Sequence, residues 1–167
     1  MTARFLVVDA NVLIDFVEAD PSVLTLVSKH LGQIHVLRAV LDEVEQLDQA
    51  ECERLQLKVV DGTVEQLVEA AAERGQLSFE DRLCMIVARD GGWICVSNDK
   101  PLRTACGEQG VQVWWGLEMM AELVEAGHLE VEASVQVAEK VHDANPRYIT
   151  KGVLLRFKQR VGRSRRS

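Results

Sequence analysis

Arg4-Phe5-Leu6-Val7-Val8-Asp9-Ala10-Asn11-Val12-Leu13 is the stretch on which the fold turns. Residues 4–9 form a short apolar, β-branched run that ends in a carboxylate. A run of this kind, with no polar alternation, suits a parallel strand buried on both faces. A helical pattern takes over from about residue 12 to 18, and Pro21 can open a second helix reaching about Leu31. Strand passing directly into helix is the rhythm of an α/β chain.

The alternation continues. Ile34–Leu37 reads as a second strand, after which Val40, Leu41, Val44 and Leu47 recur at helical spacing with Asp42, Glu43, Glu45 and Gln46 between them. Leu57–Val60 is a weaker strand, followed by a helix that Thr63 caps and Gly75 stops. Ser78 is placed to N-cap the next helix, with Asp81 at its third position, and that helix runs to Gly91-Gly92. Trp93–Val96 is a fourth strand, Ser97-Asn98-Asp99 follows it, and Pro101 lies in the first turn of a helix to about Glu108. Val111–Trp114 and Leu117–Glu125 make a last strand and helix. The expected fold class is α/β, a mostly parallel sheet of about 4–5 strands with helices on both faces. Beyond Gly127 two amphipathic helices are expected, about Ser134–Ala144 and Gly152–Val161. The organisation predicted is an α/β domain over 1–126, a helical extension of the same domain over 127–161, and a basic tail over 162–167.

Composition sets the class. The chain has 167 residues, 47% hydrophobic and 27% charged, which suits one globular domain rather than disorder. No run approaches the roughly 20 apolar residues of a membrane helix, and the N-terminal stretch Met1–Asp9 reaches a charged residue, Asp9, too soon after its apolar run begins for a secretory signal. A cytoplasmic protein is expected. The cysteines at 52, 84, 95 and 106 form no C-x-x-C pair and no zinc-type spacing with histidine, so they read as reduced thiols in or near the core. Trp93 and Trp114 read as core; Trp115, beside Gly116, is ambiguous between core and a surface or dimer contact, and base stacking there has no supporting pattern of neighbouring aromatics.

Four acids carry the chemistry. Asp9 ends the first strand and Asp99 follows the fourth; in an open parallel sheet ligands bind beyond the carboxyl ends of strands, where the strand order reverses. Both should reach one rim. Glu43, on the helix after the second strand, and Asp81, in the first turn of the helix before Trp93, are plausible at the same rim. Clustered carboxylates raise one another's pKa unless a cation neutralises them, and oxygen ligands without Cys or His select Mg²⁺ or Mn²⁺. Such ions activate water and stabilise the leaving oxygen in phosphodiester hydrolysis. Each acid also has an ordinary use. Asp9, Asp81 and Asp99 are good caps, and Glu43 is one of several acids, with Asp42 as a substitute.

Four motifs stand in order: Val7-Val8-Asp9-Ala10-Asn11-Val12-Leu13, Val40-Leu41-Asp42-Glu43-Val44, Leu77-Ser78-Phe79-Glu80-Asp81 and Val96-Ser97-Asn98-Asp99-Lys100-Pro101-Leu102. Together they resemble the PIN-domain family, the ribonuclease fold of many bacterial and archaeal toxin–antitoxin toxins. The motifs span residues 5–102, and a similar strand–helix ending reaches about 126. The resemblance implies a three-layer α/β/α fold with Asp9, Glu43 and Asp99 as principal metal and catalytic acids and Asp81 as the fourth. Ser97 stands where the family commonly has Thr, and Asn11 is a polar neighbour of the first acid. Residues 127–167 resemble, more weakly, the ending of a PIN subfamily with extra C-terminal helices. The family implies an Mg²⁺- or Mn²⁺-dependent endoribonuclease acting on RNA, frequent homodimers, and an antitoxin protein that blocks the site.

Charge is unevenly placed. Residues 1–143 hold 11 Lys+Arg against all 26 Asp+Glu, while 144–167 hold 8 Lys+Arg and no acid. An acidic body repels phosphate and argues against a passive nucleic-acid binder. The basic end suits a phosphate backbone or an acidic partner, with Arg163, Arg165 and Arg166 as candidate RNA contacts; it would serve equally as a solubilising frayed end. If it binds RNA, removing 162–167 should weaken binding and flatten its salt dependence. The rival functions are a catalytically silent PIN-fold interaction protein and a housekeeping PIN nuclease in RNA processing. A haloacid-type phosphatase wants a second Asp where Asn11 stands, and a receiver domain wants adjacent acids that Asp9-Ala10-Asn11 does not supply.

Overall fold

A strand buried on both faces needs hydrogen-bonding neighbours on both edges, and β1 (Phe5–Val8) has them. In the computed structural model, which describes residues 4–72 and 75–166, β1 pairs in parallel with β2 (Gln33–Leu37) and β4 (Ile94–Val96). β3 (Lys58–Val60) joins the far side of β2, and β5 (Val113–Trp114) the far side of β4. The order is β3-β2-β1-β4-β5, parallel throughout. Leu6, Val7 and Val8 have no exposed surface, as an unbroken apolar run requires. Trp93 and Val111 lie just outside the strands expected to hold them, and Trp93 is only half-buried.

Helices connect the strands: α1 (Ala10–Ala19) and α2 (Ser22–His30) after β1, α3 (Arg38–Leu41) and α4 (Gln49–Arg54) after β2, α5 (Val64–Ala72) and α6 (Phe79–Gly91) after β3, α7 (Lys100–Glu108) after β4. After β5 come α8 (Gly116–Glu125), α9 (Val131–Ala144) and α10 (Lys151–Gly162), then a 3₁₀ turn at Arg163–Arg166. The caps explain the boundaries. Asp9, Ser78, Asp99 and Thr150 accept backbone N–H groups at the starts of α1, α6, α7 and α10, and Gly92, at φ +67°, ends α6 in the left-handed conformation. α9 packs on α1, and α10 on α8 and α9, so Val137, Ala138, Val141, Phe157 and Val161 join the same core as the sheet. Among the described residues no helix is long and apolar enough to cross a membrane. All four cysteines are buried free thiols.

Two expectations need correction. The helix expected through Leu47 is a single turn, α3, after which Glu43 N–H bonds to Val40 and Val44 N–H to Leu41, both at 3.0 Å, and the chain turns away. Val44 and Leu47 are nevertheless buried. Their apolar spacing records packing against the core, which a turn satisfies as well as a helix. The second is α4, absent from the sequence reading because it is short and polar save for Ala50 and Cys52; Asp48 starts it by accepting Glu51 N–H at 2.8 Å. The basic end is helical rather than frayed as far as it is described.

Gly32 is required by close approach. A Cβ there would stand 2.3 Å from the Arg4 carbonyl oxygen and 2.9 Å from Leu6 Cδ1, and backbone cannot retreat cheaply. Gly32→Ala is expected to cost about 1–3 kcal/mol, read as a lower urea midpoint at unchanged m-value.

Candidate active site

β1 and β4 are neighbours, yet the chain leaves β1 towards β2 and leaves β4 towards β5. This is the switch point of the sheet, and both strands end in acids there. Asp9 N–H bonds to the Val96 carbonyl at 3.1 Å, which holds the first acid beside the loop Ser97-Asn98-Asp99.

Asp9 is 3% exposed. Its Oδ1 accepts Val12 N–H at 3.0 Å, and its Oδ2 accepts the Ser97 hydroxyl. Ser97 Oγ in turn accepts Asp99 N–H at 3.0 Å, and Asp99 Oδ2 accepts Leu102 N–H at 3.1 Å. Ser97 thus links two acids, donating to one side chain and accepting from the other's backbone. Burial is the main force on Asp9 and pushes its carboxyl to about 7, against the lowering by Ser97 and Val12, with Asp81 and Asp99 adding like-charge repulsion. Asp81, in the first turn of α6, is raised by burial and then by Asp99 and Glu80. Glu43 is exposed in its turn, and its carboxyl is raised by burial and then by Glu80 and Asp81.

The four sequence-predicted acids therefore lie within electrostatic reach, as a chain running Asp9–Asp99–Asp81–Glu43. Glu80 is a fifth member that the sequence reading passed over. It stands next to Asp81 in the first turn of α6, and its acidity there was the available signal. Asn11 sits exposed in the first turn of α1, with no hydrogen bond to the acids among the described residues. Arg163 is exposed, Arg165 pairs with Glu132 at 2.5 Å, and the side chain of Arg166 lies outside the described residues.

Behind the acids is a polar network that no local pattern announced. Asn98, 7% exposed, accepts Gly116 N–H at 2.9 Å and donates to Asp15 Oδ2 at 3.5 Å. Asn145, at the end of α9, donates to Asp15 Oδ1 at 3.4 Å. Burial holds the Asp15 carboxyl up at about 6, Asn145 and Asn98 pull it down, and Glu18 pushes it up. Arg103 of α7 adds a bond from Nη1 to the Ser97 carbonyl at 3.1 Å. These contacts fix the loop that carries Asp99.

The donor set is hard oxygen only, the chemistry that Mg²⁺ or Mn²⁺ accepts. Among the described residues no three His, Cys, Asp or Glu side chains are arranged to hold an ion as they stand. The reason is visible: both Asp9 oxygens and one of Asp99 are engaged at helix caps or on Ser97. The acids fit such an ion in donor chemistry, and holding one would need Asp9 and Asp99 to release these partners.

No protein-family model and no curated protein matches this chain. Among solved structures it is similar to a PilT N-terminus domain protein from the hyperthermophilic archaeon Sulfolobus solfataricus P2, with 12% identity and a TM-score of 0.53 over 71% of this chain and 92% of that one. At that identity the likeness is one of fold. The chain has a PIN-like α/β fold, PIN abbreviating PilT N-terminus.

Proposed function

We propose that the acidic rim of this PIN-like fold hydrolyses RNA phosphodiester bonds, as a divalent-metal-dependent endoribonuclease. One observation carries the reading: Asp9, Asp81, Asp99 and Glu43, from four separate elements, gather at the switch point of an open parallel sheet. Asp9, Asp81 and Asp99, with Glu43 at the edge, would hold Mg²⁺ or Mn²⁺, which supplies Lewis-acid polarisation of phosphate and a more acidic water. The chain's own groups do the rest. Without an ion, burial holds the Asp9 carboxyl near 7, and beside a bound cation it would take its ionised, ligating form. Ser97 orients Asp9 through its hydroxyl, and the Asn98 network keeps Asp99 facing the same rim. Placement in a toxin–antitoxin module, a blocking antitoxin and a homodimer are supported by the family resemblance.

A second reading, a catalytically silent interaction protein, is favoured by one observation: Asp9 and Asp99 both serve as N-caps. The two separate cleanly. Wild-type protein is expected to cleave single-stranded RNA with 1–5 mM Mn²⁺ (about the usual assay range for a weak site, Kd near millimolar) and to lose cleavage in EDTA. Calorimetry should show Mn²⁺ binding that Asp99→Asn weakens. Absence of both cleavage and acid-dependent binding establishes the silent reading instead.

A further inference from the structure

Trp115 stands on the same rim as the acids. It follows β5, whose Trp114 carbonyl accepts Ser97 N–H at 3.0 Å, and the next residue, Gly116, donates to Asn98. Two bonds thus tie its backbone to the loop of Asp99. Its indole is only half-buried, and the Arg103 guanidinium lies over the ring at 3.8 Å from the centroid. Arg103 also holds the Ser97 carbonyl. One structure links aromatic face, guanidinium and catalytic loop.

Beyond Trp115 a groove of about 270 Å³ opens between α8 and α10, lined by Leu117 and Glu118 on one wall and by Val153, Arg156, Phe157 and Arg160 on the other, with the Glu118 charge facing Arg160. That volume lies just under the range of about 300–1,000 Å³ for drug-sized ligands, the scale of one nucleotide unit. Arg160 is consumed in holding the wall. It bonds Glu122 at 3.1 Å and Glu125, with Glu118 at 4.0 Å. Arg156 lies one turn before Arg160 on the same face of α10, and Arg163 opens the 3₁₀ turn that follows the helix. Both are exposed and form no ion pair among the described residues. On a chain whose first 143 residues carry an excess of acid, this is a cationic edge placed beside the acidic rim.

Resting on the nuclease reading, we infer that this groove is a subsite for single-stranded RNA, in which one base stacks on Trp115 while Arg156 and Arg163 track the flanking phosphates. Aromatic platforms within a cationic groove are how single strands are held without sequence readout. The cations also offset the repulsion between RNA and the acids, and orient the strand with a phosphate towards Asp99. Positive charge near the C-terminus thus acts through α10, whereas Arg165 is engaged by Glu132.

The test is equilibrium binding of a fluorescein-labelled 8-nucleotide RNA to the full chain in EDTA, where binding is read without cleavage, across a salt series. Trp115→Ala should weaken binding about 5- to 100-fold, and Trp115→Phe should retain most of the affinity. Arg156→Glu and Arg163→Glu should each lower the slope of log affinity against log salt by about 0.7 or more. Lys58→Glu, the same charge change at the far edge of the sheet, should leave the slope unchanged. Polyphosphate, which has no bases, should compete equally with wild type and Trp115→Ala. Melting curves confirm that each variant is folded, and exposed Arg156 keeps the test valid should Trp115→Ala unfold. Equal affinity and slope for wild type, Trp115→Ala and Arg156→Glu would overturn the subsite, as would no binding by the wild type at low salt. Neither result bears on the nuclease reading, which is judged by cleavage in Mn²⁺.

Discussion

Asp9→Asn is expected to reduce RNA cleavage by about 10²–10³-fold, the usual loss when one fixed charge at a reacting centre is removed, and at the same time to stabilise the protein at pH 8. The second effect follows from where the carboxyl titrates. In the unfolded chain it loses its proton near 3.8, and in the fold, where burial opposes the charge, near 7. Between those values the folded state binds the proton more tightly than the unfolded state. Stability from this group is therefore fully present below about pH 4, falls as pH rises through 7, and is at its lowest at pH 8. A shift of this size corresponds to a few kcal/mol, on the order of 1.4 per pH unit. The neutral amide cannot ionise, so the variant escapes the penalty, although it loses part of its bonding to the Ser97 hydroxyl and Val12 N–H.

Thermal melts in EDTA at pH 5 and pH 8 measure this. The wild type should lose more stability between them than Asp9→Asn does, while Asp15, Asp81 and Glu43, all raised in the same direction, leave a shared residual slope in both proteins. Mn²⁺ should then raise the wild-type melting temperature at pH 8 and leave the variant nearly unmoved, because a ligand stabilises only the state that binds it. Parallel pH profiles for the two proteins would remove Asp9 as a strained, proton-holding group. Asparagine caps a helix about as well as aspartate, so the loss of activity and of the Mn²⁺ shift, with the fold kept, is what separates an acid kept for chemistry from one kept for capping.

The residues differ in how legible they were, and the difference is physical. Asp9 and Asp99 could be placed from sequence because each follows an apolar run directly, and a parallel sheet sends every strand end to a known edge. Ser78 and Pro101 marked their helices because capping and the fixed proline φ are local effects. Glu43 lies in a turn rather than on the helix that its neighbours' spacing predicts. Val40, Leu41, Val44 and Leu47 carry a helical spacing, yet the backbone bonds i to i+3 after α3 and turns, which periodicity cannot distinguish. Asp15, Asn98 and Asn145 were invisible because their partners lie 83 and 130 residues away in the chain. Asp15 within α1 looks like an ordinary solvated acid until α9 covers it. Local sequence leaves Trp115 ambiguous between core and contact, and the groove beside it exists only because α10 returns to α8.

That hidden network leads to the second large effect. Asn98→Leu should lower the melting temperature by roughly 5–10 °C and reduce cleavage well before the protein unfolds. Leucine has the branching and heavy-atom count of asparagine, so the loss is mainly one of hydrogen bonds, with some overpacking from its larger methyl groups. Gly116 N–H and Asp15 are each left without a partner that Asn98 supplies, and Asn98 and Asp15 are nearly inaccessible to water. An unsatisfied buried group costs about 1–3 kcal/mol, and two coupled ones sum to about 3 because Asp15 keeps Asn145. For a chain of this length each kcal/mol is about 2–4 °C. Asn98 also lies between Ser97 and Asp99, so freeing its side chain loosens the link that Ser97 makes between the two acids. Cleavage should fall about 10- to 100-fold at a temperature where circular dichroism still shows the native fold, since small misplacement of reacting groups is costly. Asp15→Asn, which keeps an amide against both asparagines and removes the buried charge, should be milder on both counts. If Asn98→Leu melts like the wild type, the network is not what fixes the rim, and the rigidity of Asp99 must come from its own cap on Leu102.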